Sequence, residues 1–436
     1  MSLGLTSNQA NFRRRSEIGD KSAQIEEQGQ GMKRGYLSEY FDGVAIKNFS
    51  GVDITAKSNQ HEIGTTEEMR AFMGIPAGKQ YLATRFIYLD DESEDPVVED
   101  GTLTYYDVRA NQPKRKPEYR CYYPGNRVTQ LADEGDLLVV AKRRDGGMLV
   151  LVAAKGSSSA GQLRSLFGFG DEVPADFLTR SDLDTEQDRI GFTATFVLES
   201  IGVEVEREEA TYLDKMLKKF GATFPPTRAF SAFARGTLKG VDPRDDPDGA
   251  LMLWMDREEV LFRTLEKHIV GEWLRNSFTG DVEDFKQKSL SIQNRRKSRA
   301  GSALEGHLGQ VFTCLGIRYS TQCRTENNAK PDFLFPSNEA YHSDAFPAEL
   351  LTMLGVKTTC KDRWRQVLSE ANRIPSKHLL TLESPISTNQ TDEMAARNLT
   401  LVVPRTLQAS YTDAQRAKIW SLKAFTDMLI ERDAKI

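Results

Sequence analysis

Short runs of apolar residues, each broken by turn residues, dominate the chain from position 36 to about position 166. The clearest runs are Gln80–Leu89, Leu103–Arg109, Asp136–Ala141 and Met148–Val152. Each has the length and composition of a strand. The last two flank Lys142–Gly147, whose Asp-Gly-Gly ending is typical of a hairpin turn. With one helix expected near Thr66–Met73, the pattern predicts a mostly β domain of barrel-like or sandwich-like form.

The last third of the chain alternates helical and strand-like patterns. Apolar residues recur at helical spacing in three segments, Ser302–Leu315, Asp362–Ile374 and Asp413 to about Arg432. Four short apolar runs are expected to be strands, namely Pro331–Phe335, Leu354–Thr359, His378–Leu382 and Leu399–Val403. The resulting order of α, β, β, α, β, β, α predicts a mixed sheet with helices on both faces.

The remaining segments divide the chain. Residues 1–32 are polar and rich in Gly, Gln and Glu, and we expect a disordered leader there. We predict a β domain at 33–170, a connector at 171–222 with a helix near Ala210–Lys219, and an α/β domain at 223–436. The helical segment Leu251–Leu274 has the longest apolar periodicity.

Composition excludes several classes of protein. The chain has 436 residues, of which 39% are hydrophobic and 28% charged, as in globular proteins of two or three domains. Four scattered cysteines are too few for a disulfide framework or a Cys₄ zinc site, and we expect free thiols in a reducing cytoplasm. No apolar run is long enough to cross a membrane. The net charge of −5 argues against coating nucleic acid by bulk charge and leaves local basic patches open.

Three carboxylates and a lysine stand at suggestive places in the α/β pattern. Asp332 begins a strand, Lys357 lies inside an apolar run, Glu370 follows 13 residues later on the next helix, and Glu305 borders the apolar stripe of an earlier helix. Taken singly, each has an ordinary structural interpretation: a turn aspartate, an edge-strand lysine or a solvated helix glutamate. Together they suit phosphodiester hydrolysis, because carboxylates bind Mg²⁺ and a lysine stabilises the charge that develops on phosphate.

Four stretches of the chain resemble a known family. They are Asn294–Gly301, Ser302–Glu305, Lys330–Pro336 and Val356–Gln366. In residue type and order they resemble the catalytic domain of the EcoRII-type restriction endonucleases, which belong to the PD-(D/E)XK nuclease superfamily. The resemblance implies a restriction-endonuclease-like α/β/α domain and a Mg²⁺-dependent type II site-specific deoxyribonuclease.

The resemblance also implies roles for single residues. Asp332 and Glu370 would hold the metal, Lys357 would be the catalytic lysine, and Glu305 would be the accessory acid. One position departs from the general superfamily pattern, since Gly355 stands two residues before Lys357, where an acid is usual. In the EcoRII-like subgroup that acid comes instead from 13 residues after the lysine, which is the position of Glu370.

Base recognition is implied for Lys361, Asp362 and Arg363. Lysine and arginine pair with guanine in the major groove, and aspartate accepts from cytosine. The alternative is an ordinary charged first turn of a helix. The subgroup with this triplet recognises CCWGG, cuts before the first C and flips the central bases out of the duplex. Phe262 is a candidate for stacking on a flipped base, with a core position as the alternative.

Two sets of basic residues are candidates for phosphate contact. Within the run that begins at Lys286 and Lys288, we expect Arg295, Arg296, Lys297 and Arg299 to contact the DNA backbone, with a solvated loop as the alternative. The β domain more weakly resembles the effector-DNA domain of the same enzymes, a pseudobarrel of the plant B3 type. That resemblance implies effector-DNA contacts by Lys47, His61, Lys114, Lys116, Glu118 and Arg120, with a charged hairpin as the alternative for the cluster 114–120.

These expectations combine into one hypothesis. The chain is a type II restriction endonuclease whose B3-like domain binds a second DNA copy and covers the nuclease cleft until it does so. A palindromic site cut on both strands requires two active sites, so we expect a homodimer through the C-terminal domain. Two alternatives remain: an inactive DNA-binding regulator, and a nuclease of the same fold that acts on modified or branched DNA.

Overall fold

A computed structural model of the chain describes residues 35–54, 61–93, 95–112, 114–206, 209–277, 282–360 and 363–436. The predicted leader at 1–32 lies outside these residues, as do Lys361 and Asp362. No helix in the described ranges is long and apolar enough to span a bilayer. The four cysteines are free thiols, as expected.

An eight-stranded sheet forms the first half of the chain. Its strands are β1 Phe41–Asn48, β2 Glu62–Gly64, β3 Gln80–Leu89, β4 Val97–Asp107, β5 Tyr119–Tyr122, β6 Leu137–Arg143, β7 Met148–Ala153 and β8 Leu178–Arg180. Their order is β2-β5-β4-β3-β7-β6-β1-β8. Neighbours are antiparallel except β3 and β7, which run parallel. Over the described residues no ladder joins β2 to β8, so the sheet is an open half-barrel. The finer B3-like form stays a prediction.

The short helices of this half lie beside the sheet. They are α1 Gly51–Ile54, α2 Glu67–Met73, α3 Arg127–Gln130 and α4 Ser158–Leu166. The predicted helix is confirmed as α2, and Thr66 caps it by accepting a hydrogen bond from the Met69 N–H at 3.2 Å. The predicted hairpin is confirmed as the antiparallel pair β6–β7.

The segment between the two halves packs in two directions. Strand β8 pairs with β1, and the following helix α5 Phe192–Ser200 contributes Leu198 to the core of the β sheet. Helix α6 Ala210–Phe220 instead packs its Met216 against helices of the second half. The predicted connector therefore gives its first part to one half and its second part to the other.

A five-stranded mixed sheet forms the centre of the second half. Its strands are β9 Ser320–Thr321, β10 Phe333–Phe335, β11 Thr352–Lys357, β12 Lys377–Thr381 and β13 Leu399–Val402. The order is β13-β12-β11-β10-β9. Strands β11, β12 and β13 are parallel to one another, and β10 is antiparallel to both of its neighbours. The predicted mixed sheet is confirmed.

Helices cover both faces of this sheet. They are α7 Thr227–Gly236, α8 Pro247–Ser277, α9 Val282–Cys314, α10 Asn338–His342, α11 Trp364–Val367, α12 Thr388–Ala396, α13 Asp413–Arg416 and α14 Leu422–Asp433. Phe333 and Leu354 point toward α8, α9 and α14. Their neighbours Leu334 and Met353 point to the opposite face, toward α11 and α12. This alternation along each strand buries both faces.

Three predicted helices are wrong in extent. The helix expected over Asp362–Ile374 ends at Val367, and Ala371 adopts a positive φ of 49°. The Ala371 and Asn372 N–H groups donate to Thr325 Oγ1 at 3.3 Å and Glu326 Oε2 at 3.1 Å, so bonds to a distant loop replace the helical ones.

The final helix is divided into α13 and α14, because a new N-cap at Ser421 starts the second piece. Helix α9, by contrast, begins much earlier than expected, at Val282. The basic run therefore lies on a helix and not in a loop.

Candidate active site

Asp332 connects two adjacent strands of the mixed sheet. It stands directly before β10 and is 8% exposed. Its Oδ2 accepts a hydrogen bond from the Val356 N–H at 2.7 Å and lies 3.2 Å from Lys357 Nζ. The backbone bond fixes the carboxylate at the end of β11, where Lys357 is the last residue. The predicted aspartate and lysine are therefore in direct contact.

Glu370 lies on the turn after α11, not on a helix as predicted, and its carboxyl still lies near Asp332 and Lys357. Burial and, to a smaller extent, the charge of Asp332 together raise the pKa of its carboxyl to about 7, although Lys357 and Lys377 oppose the rise. Among the described residues, its buried Oε2 has no hydrogen-bond partner. A buried carboxylate oxygen of this kind is costly in its charged form unless a cation satisfies it.

Glu305, on α9, completes the group. Burial raises the pKa of its carboxyl, Asp332 adds to the rise, and Lys357 lowers it. Glu305 and Glu370 thus each lie within electrostatic reach of Asp332 and Lys357, although the four residues come from α9, a turn, the start of β10 and the end of β11.

The donor set suits a hard divalent cation. Within the part of the chain that the structure describes, no cluster of three or more His, Cys, Asp or Glu side chains is arranged to hold a metal. Mg²⁺ keeps several of its waters and needs only one or two protein carboxylates. Asp332 and Glu370, the latter with its unsatisfied oxygen, fit such an ion better than Zn²⁺, which prefers three or four nitrogen and sulfur ligands.

Gly355 gives a physical reason why the second acid comes from the turn. A Cβ atom at Gly355 would lie 2.9 Å from Val367 Cγ2 and 3.0 Å from its Cγ1, which is closer than such atoms approach. An aspartate or glutamate two residues before Lys357 would therefore push α11 off the sheet. Glycine lets α11 pack closely, and the turn after α11 then presents Glu370.

Lys377 supports this turn, and sequence reasoning missed it. The residue is buried at the start of β12, and its ammonium group donates to the carbonyls of Ile374 at 2.9 Å and Ala371 at 3.4 Å. Both acceptors lie within four residues of Glu370. The available signal was a lysine at the head of an apolar strand, a place where lysine is rare unless paired.

The recognition triplet is described in part. Lys361 and Asp362 lie outside the described residues. Arg363 is exposed; its N–H donates to the Cys360 carbonyl at 2.8 Å, and its Nη2 donates to Thr359 Oγ1 at 3.2 Å. It stands six residues beyond Lys357, and its guanidinium is bonded to Thr359, two residues beyond that lysine.

The predicted backbone-contact residues differ in their surroundings. Arg299 is buried and donates to Glu258 Oε1 at 2.6 Å, while Arg296 donates to Glu266 Oε2 at 2.8 Å. Arg295 lies over the Phe224 ring at 4.5 Å. Nothing is described of the Lys297 side chain. Because Arg296 and Arg299 have partners inside the protein, phosphate contact by them stays a prediction that requires those ion pairs to open.

Phe262 is a core residue. It is 1% exposed and packs with Phe230, and the Arg299 guanidinium lies 4.1 Å from the centre of its ring. The core alternative fits these contacts, and stacking on a flipped base does not.

The predicted effector-DNA residues are partly paired among themselves. Arg120 donates to Glu62 Oε2 at 2.7 Å and also pairs with Glu118. Lys47 Nζ lies 2.8 Å from Asp53 Oδ1. The ring of His61 packs against Tyr123, with 5.5 Å between centroids. Lys114 and Lys116 are exposed. Their contact with DNA stays a prediction.

The raised pKa of Glu370 predicts a pH-dependent stability effect. Folding raises the pKa from about 4.5 to about 7, so the carboxyl supports the folded state at low pH and this support is lost as the pH rises through 7. In metal-free protein at pH 8, Glu370→Gln should therefore raise the melting temperature by about 2–4 °C. At pH 5 the gain should vanish, because the folded protein already holds the proton.

Thermal melting in EDTA checks this expectation. Glu349→Gln, at an exposed glutamate, is the matched control and should change nothing at either pH. A destabilised Glu370→Gln at pH 8 would contradict the electrostatic account of the site.

Comparison with known proteins locates the relationship in the second half of the chain. Residues 262–426 match the family model described as EcoRII C terminal. A curated protein, the type II restriction enzyme EcoRII of Escherichia coli, is 48% identical over 184 residues. The match covers 41% of this chain and 45% of that enzyme, so the chain spans less than half the length of the relative.

Solved structures show weaker likeness. A metal-depleted Ecl18kI complex with uncleaved, modified DNA is 18% identical with a TM-score of 0.42, over 51% of this chain and 84% of that one. A PspGI–substrate DNA complex is 19% identical with a TM-score of 0.40, over 49% and 95%. The likeness to this family rests on the sequence matches. The matched residues 262–426, which are similar to the EcoRII C-terminal family, contain Glu305, Asp332, Lys357 and Glu370.

Proposed function

We propose that this chain is a Mg²⁺-dependent type II restriction endonuclease that hydrolyses phosphodiester bonds in double-stranded DNA. The observation that carries the proposal is the meeting of Asp332, Lys357 and Glu370 at the end of β11. The similarity of the second half of the chain to a type II restriction enzyme supports the proposal. An inactive regulator would have no need to keep an unsatisfied buried carboxylate beside a lysine.

Each residue of the site has a chemical task. When bound, the cation polarises the scissile phosphate and makes a bound water more acidic. Asp332 and Glu370 hold it. Lys357 is oriented by its 3.2 Å contact with Asp332 and offers positive charge to the phosphate oxygens, where negative charge accumulates. Glu305, whose pKa is raised, can hold a proton beside the reacting groups.

Specificity belongs to the segment after Lys357. Arg363, with Lys361 and Asp362, would read adjacent G·C pairs, as expected for the CCWGG sequence. We propose that cleavage falls before the first C. The motif carries this assignment, and the exposure of Arg363 is consistent with it.

Short duplexes test the specificity. A duplex with one CCWGG site should be cut in Mg²⁺ and left intact in EDTA. Changing one outer G·C pair should slow cleavage by about tenfold or more, because a wrong base pair costs about 1–3 kcal/mol. Mapping the cut ends identifies the bond. Equal cleavage of all duplexes would contradict the proposed specificity. Cleavage only of methylated or branched duplexes would favour the alternative, a nuclease that acts on modified or branched DNA.

The other parts of the proposal concern assembly and control. The β domain, as a B3-like module, would bind a second DNA copy through Lys47, His61, Lys114, Lys116, Glu118 and Arg120, and would cover the nuclease cleft without it. Equal cleavage rates on one-site and two-site DNA would refute that control.

A homodimer through the C-terminal domain would cut both strands of a palindrome. A monomeric mass in sedimentation with DNA would refute it. Such an enzyme would act in the cytoplasm.

A further inference from the structure

One contact between the two halves of the chain lies at helix α4. Helix α4 of the β domain lies on the loop 383–390 of the α/β domain. Gln162 Nε2 donates to Glu383 Oε1 at 2.9 Å, and the Ser387 N–H donates to Ser158 Oγ at 2.9 Å. The approach is close, since a Cβ atom on Gly161 would lie 2.7 Å from Pro385 Cγ. The position of α4 is therefore fixed against this loop.

Glu383 uses both of its carboxylate oxygens. While Oε1 accepts from Gln162, Oε2 accepts a hydrogen bond from the backbone N–H of Cys360. Its backbone is also held, because the carbonyl accepts from Tyr411 Oη at 2.9 Å and the N–H donates to Thr381 Oγ1 at 3.1 Å. One carboxylate thus bridges the β domain and the segment that follows the catalytic strand.

Cys360 anchors that segment. Its side chain is fully buried, its N–H is held by Glu383, and its carbonyl accepts from the Arg363 N–H at 2.8 Å. Arg363 is further held by Thr359 through its guanidinium. Lys357 stands three residues before Cys360. Glu383 therefore holds the backbone of Cys360, and the Cys360 carbonyl in turn accepts from Arg363.

We propose that Glu383 is a positioning residue that couples the docking of the β domain to the placement of Arg363. The proposal rests on the proposed function, in which Arg363 reads bases. When α4 is docked, Gln162 orients the carboxylate so that its second oxygen faces Cys360. When α4 moves away, that orientation is lost and Arg363 loosens. Docking of the β domain then changes how accurately the nuclease domain reads DNA, and it also changes the access of DNA to the nuclease cleft.

Hydrogen exchange in the full-length, DNA-free protein tests the coupling. Peptides overlapping at Cys360 and Arg363 should exchange about tenfold faster in Glu383→Ala, because a charge-assisted hydrogen bond is lost. Glu383→Gln keeps an acceptor and should remain near the wild-type rate. Gln162→Ala should accelerate exchange at Cys360 by a smaller, several-fold factor.

Gln390→Ala is the matched control. Gln390 also crosses between the halves, donating from Nε2 to Asp91 Oδ2 at 3.3 Å, and it lies seven residues beyond Glu383 in the chain. This variant should leave exchange at Cys360 unchanged. Equal acceleration by Gln390→Ala and Gln162→Ala, or no acceleration in Glu383→Ala, would overturn the proposal. If Glu383→Ala fails to fold, the difference in exchange rate at Cys360 between Gln162→Ala and Gln390→Ala decides whether the proposal holds.

Cleavage supplies the functional readout. The ratio of rates on CCWGG and on a single-pair variant should fall about tenfold in Glu383→Ala and be restored in Glu383→Gln. Gln162→Ala should lower this ratio and Gln390→Ala should not, whatever either does to the absolute rate. If the wild-type protein cuts no duplex, the proposed function fails, and the exchange experiment still decides whether Glu383 couples the two halves.

Discussion

Lys357→Ala should reduce single-turnover cleavage in Mg²⁺ by about 10²–10³-fold or more, because it removes the positive charge aimed at the reacting phosphate. Lys357 is already held 3.2 Å from Asp332, so no rearrangement is needed to place it. DNA binding without metal should change little, since the expected binding surface is spread over many other residues. Quenched-flow cleavage and metal-free binding measured on the same duplex check both expectations.

Lys423→Ala is the control for this experiment. Lys423 is an exposed lysine paired with Asp427 at 2.7 Å, on helix α14. Its removal should leave cleavage unchanged. A Lys357→Ala protein that retains more than about a tenth of the wild-type rate would mean that the lysine lacks the catalytic role, in view of the loss expected when one such group is deleted.

Glu258→Ala should destabilise the protein by about 3–5 kcal/mol, because it leaves buried positive charge without a partner. Glu258 lies on α8 and is buried. Its Oε1 accepts from Arg299 at 2.6 Å, and its Oε2 lies 2.9 Å from His307 Nε2, at ion-pair distance but without hydrogen-bond alignment. Arg235 Nη1 lies 2.9 Å from His307 Nδ1 on the opposite side of the ring.

The protonation states of Glu258 and His307 are consistent with this network. Burial would raise the pKa of Glu258, yet His307 and Arg299 lower it overall, so the carboxylate is charged. Burial lowers the pKa of His307, which favours the neutral ring. Arg299, sandwiched between Phe230 and Phe262, then depends on Glu258 for its counter-charge.

Urea unfolding of Glu258→Ala and Asp427→Ala separates this effect from a general loss of charge. Asp427 belongs to an exposed i, i+4 pair with Lys423, for which about 0.3–0.5 kcal/mol is expected. Similar small losses in both variants would show that the buried network contributes nothing beyond a surface pair.

The sequence predicted those parts of the fold that local pattern controls. Strand β3 has the predicted bounds, Gln80–Leu89, because the run is rich in aromatic and aliphatic residues that favour strands and its neighbours on both sides complete the sheet. Asp332 and Lys357 could be predicted as partners because Asp332 begins one short apolar run, Lys357 lies inside the next, and such runs pair as neighbouring strands.

Contacts between residues distant in sequence determine the features that the sequence did not predict. The helical periodicity from Asp362 to Ile374 continued past the real end of α11, because bonds to Thr325 and Glu326 hold Ala371 and Asn372 outside the helix. Arg299 looked like a phosphate-contacting residue because its partner, Glu258, is distant in sequence. No local pattern could reveal either contact, or the link from Gln162 to Cys360 through Glu383.

The central claim is that Asp332 and Glu370 hold one cation beside Lys357. Crystals of the protein soaked in Mn²⁺ and measured at the manganese absorption edge test it most directly. The account predicts one anomalous peak within about 2.0–2.3 Å of a carboxylate oxygen of each acid, at the distances usual for hard cations of this size. The peak should be absent in Glu370→Ala. A peak elsewhere, or a cleaving protein with no peak between Asp332 and Glu370, would contradict the account.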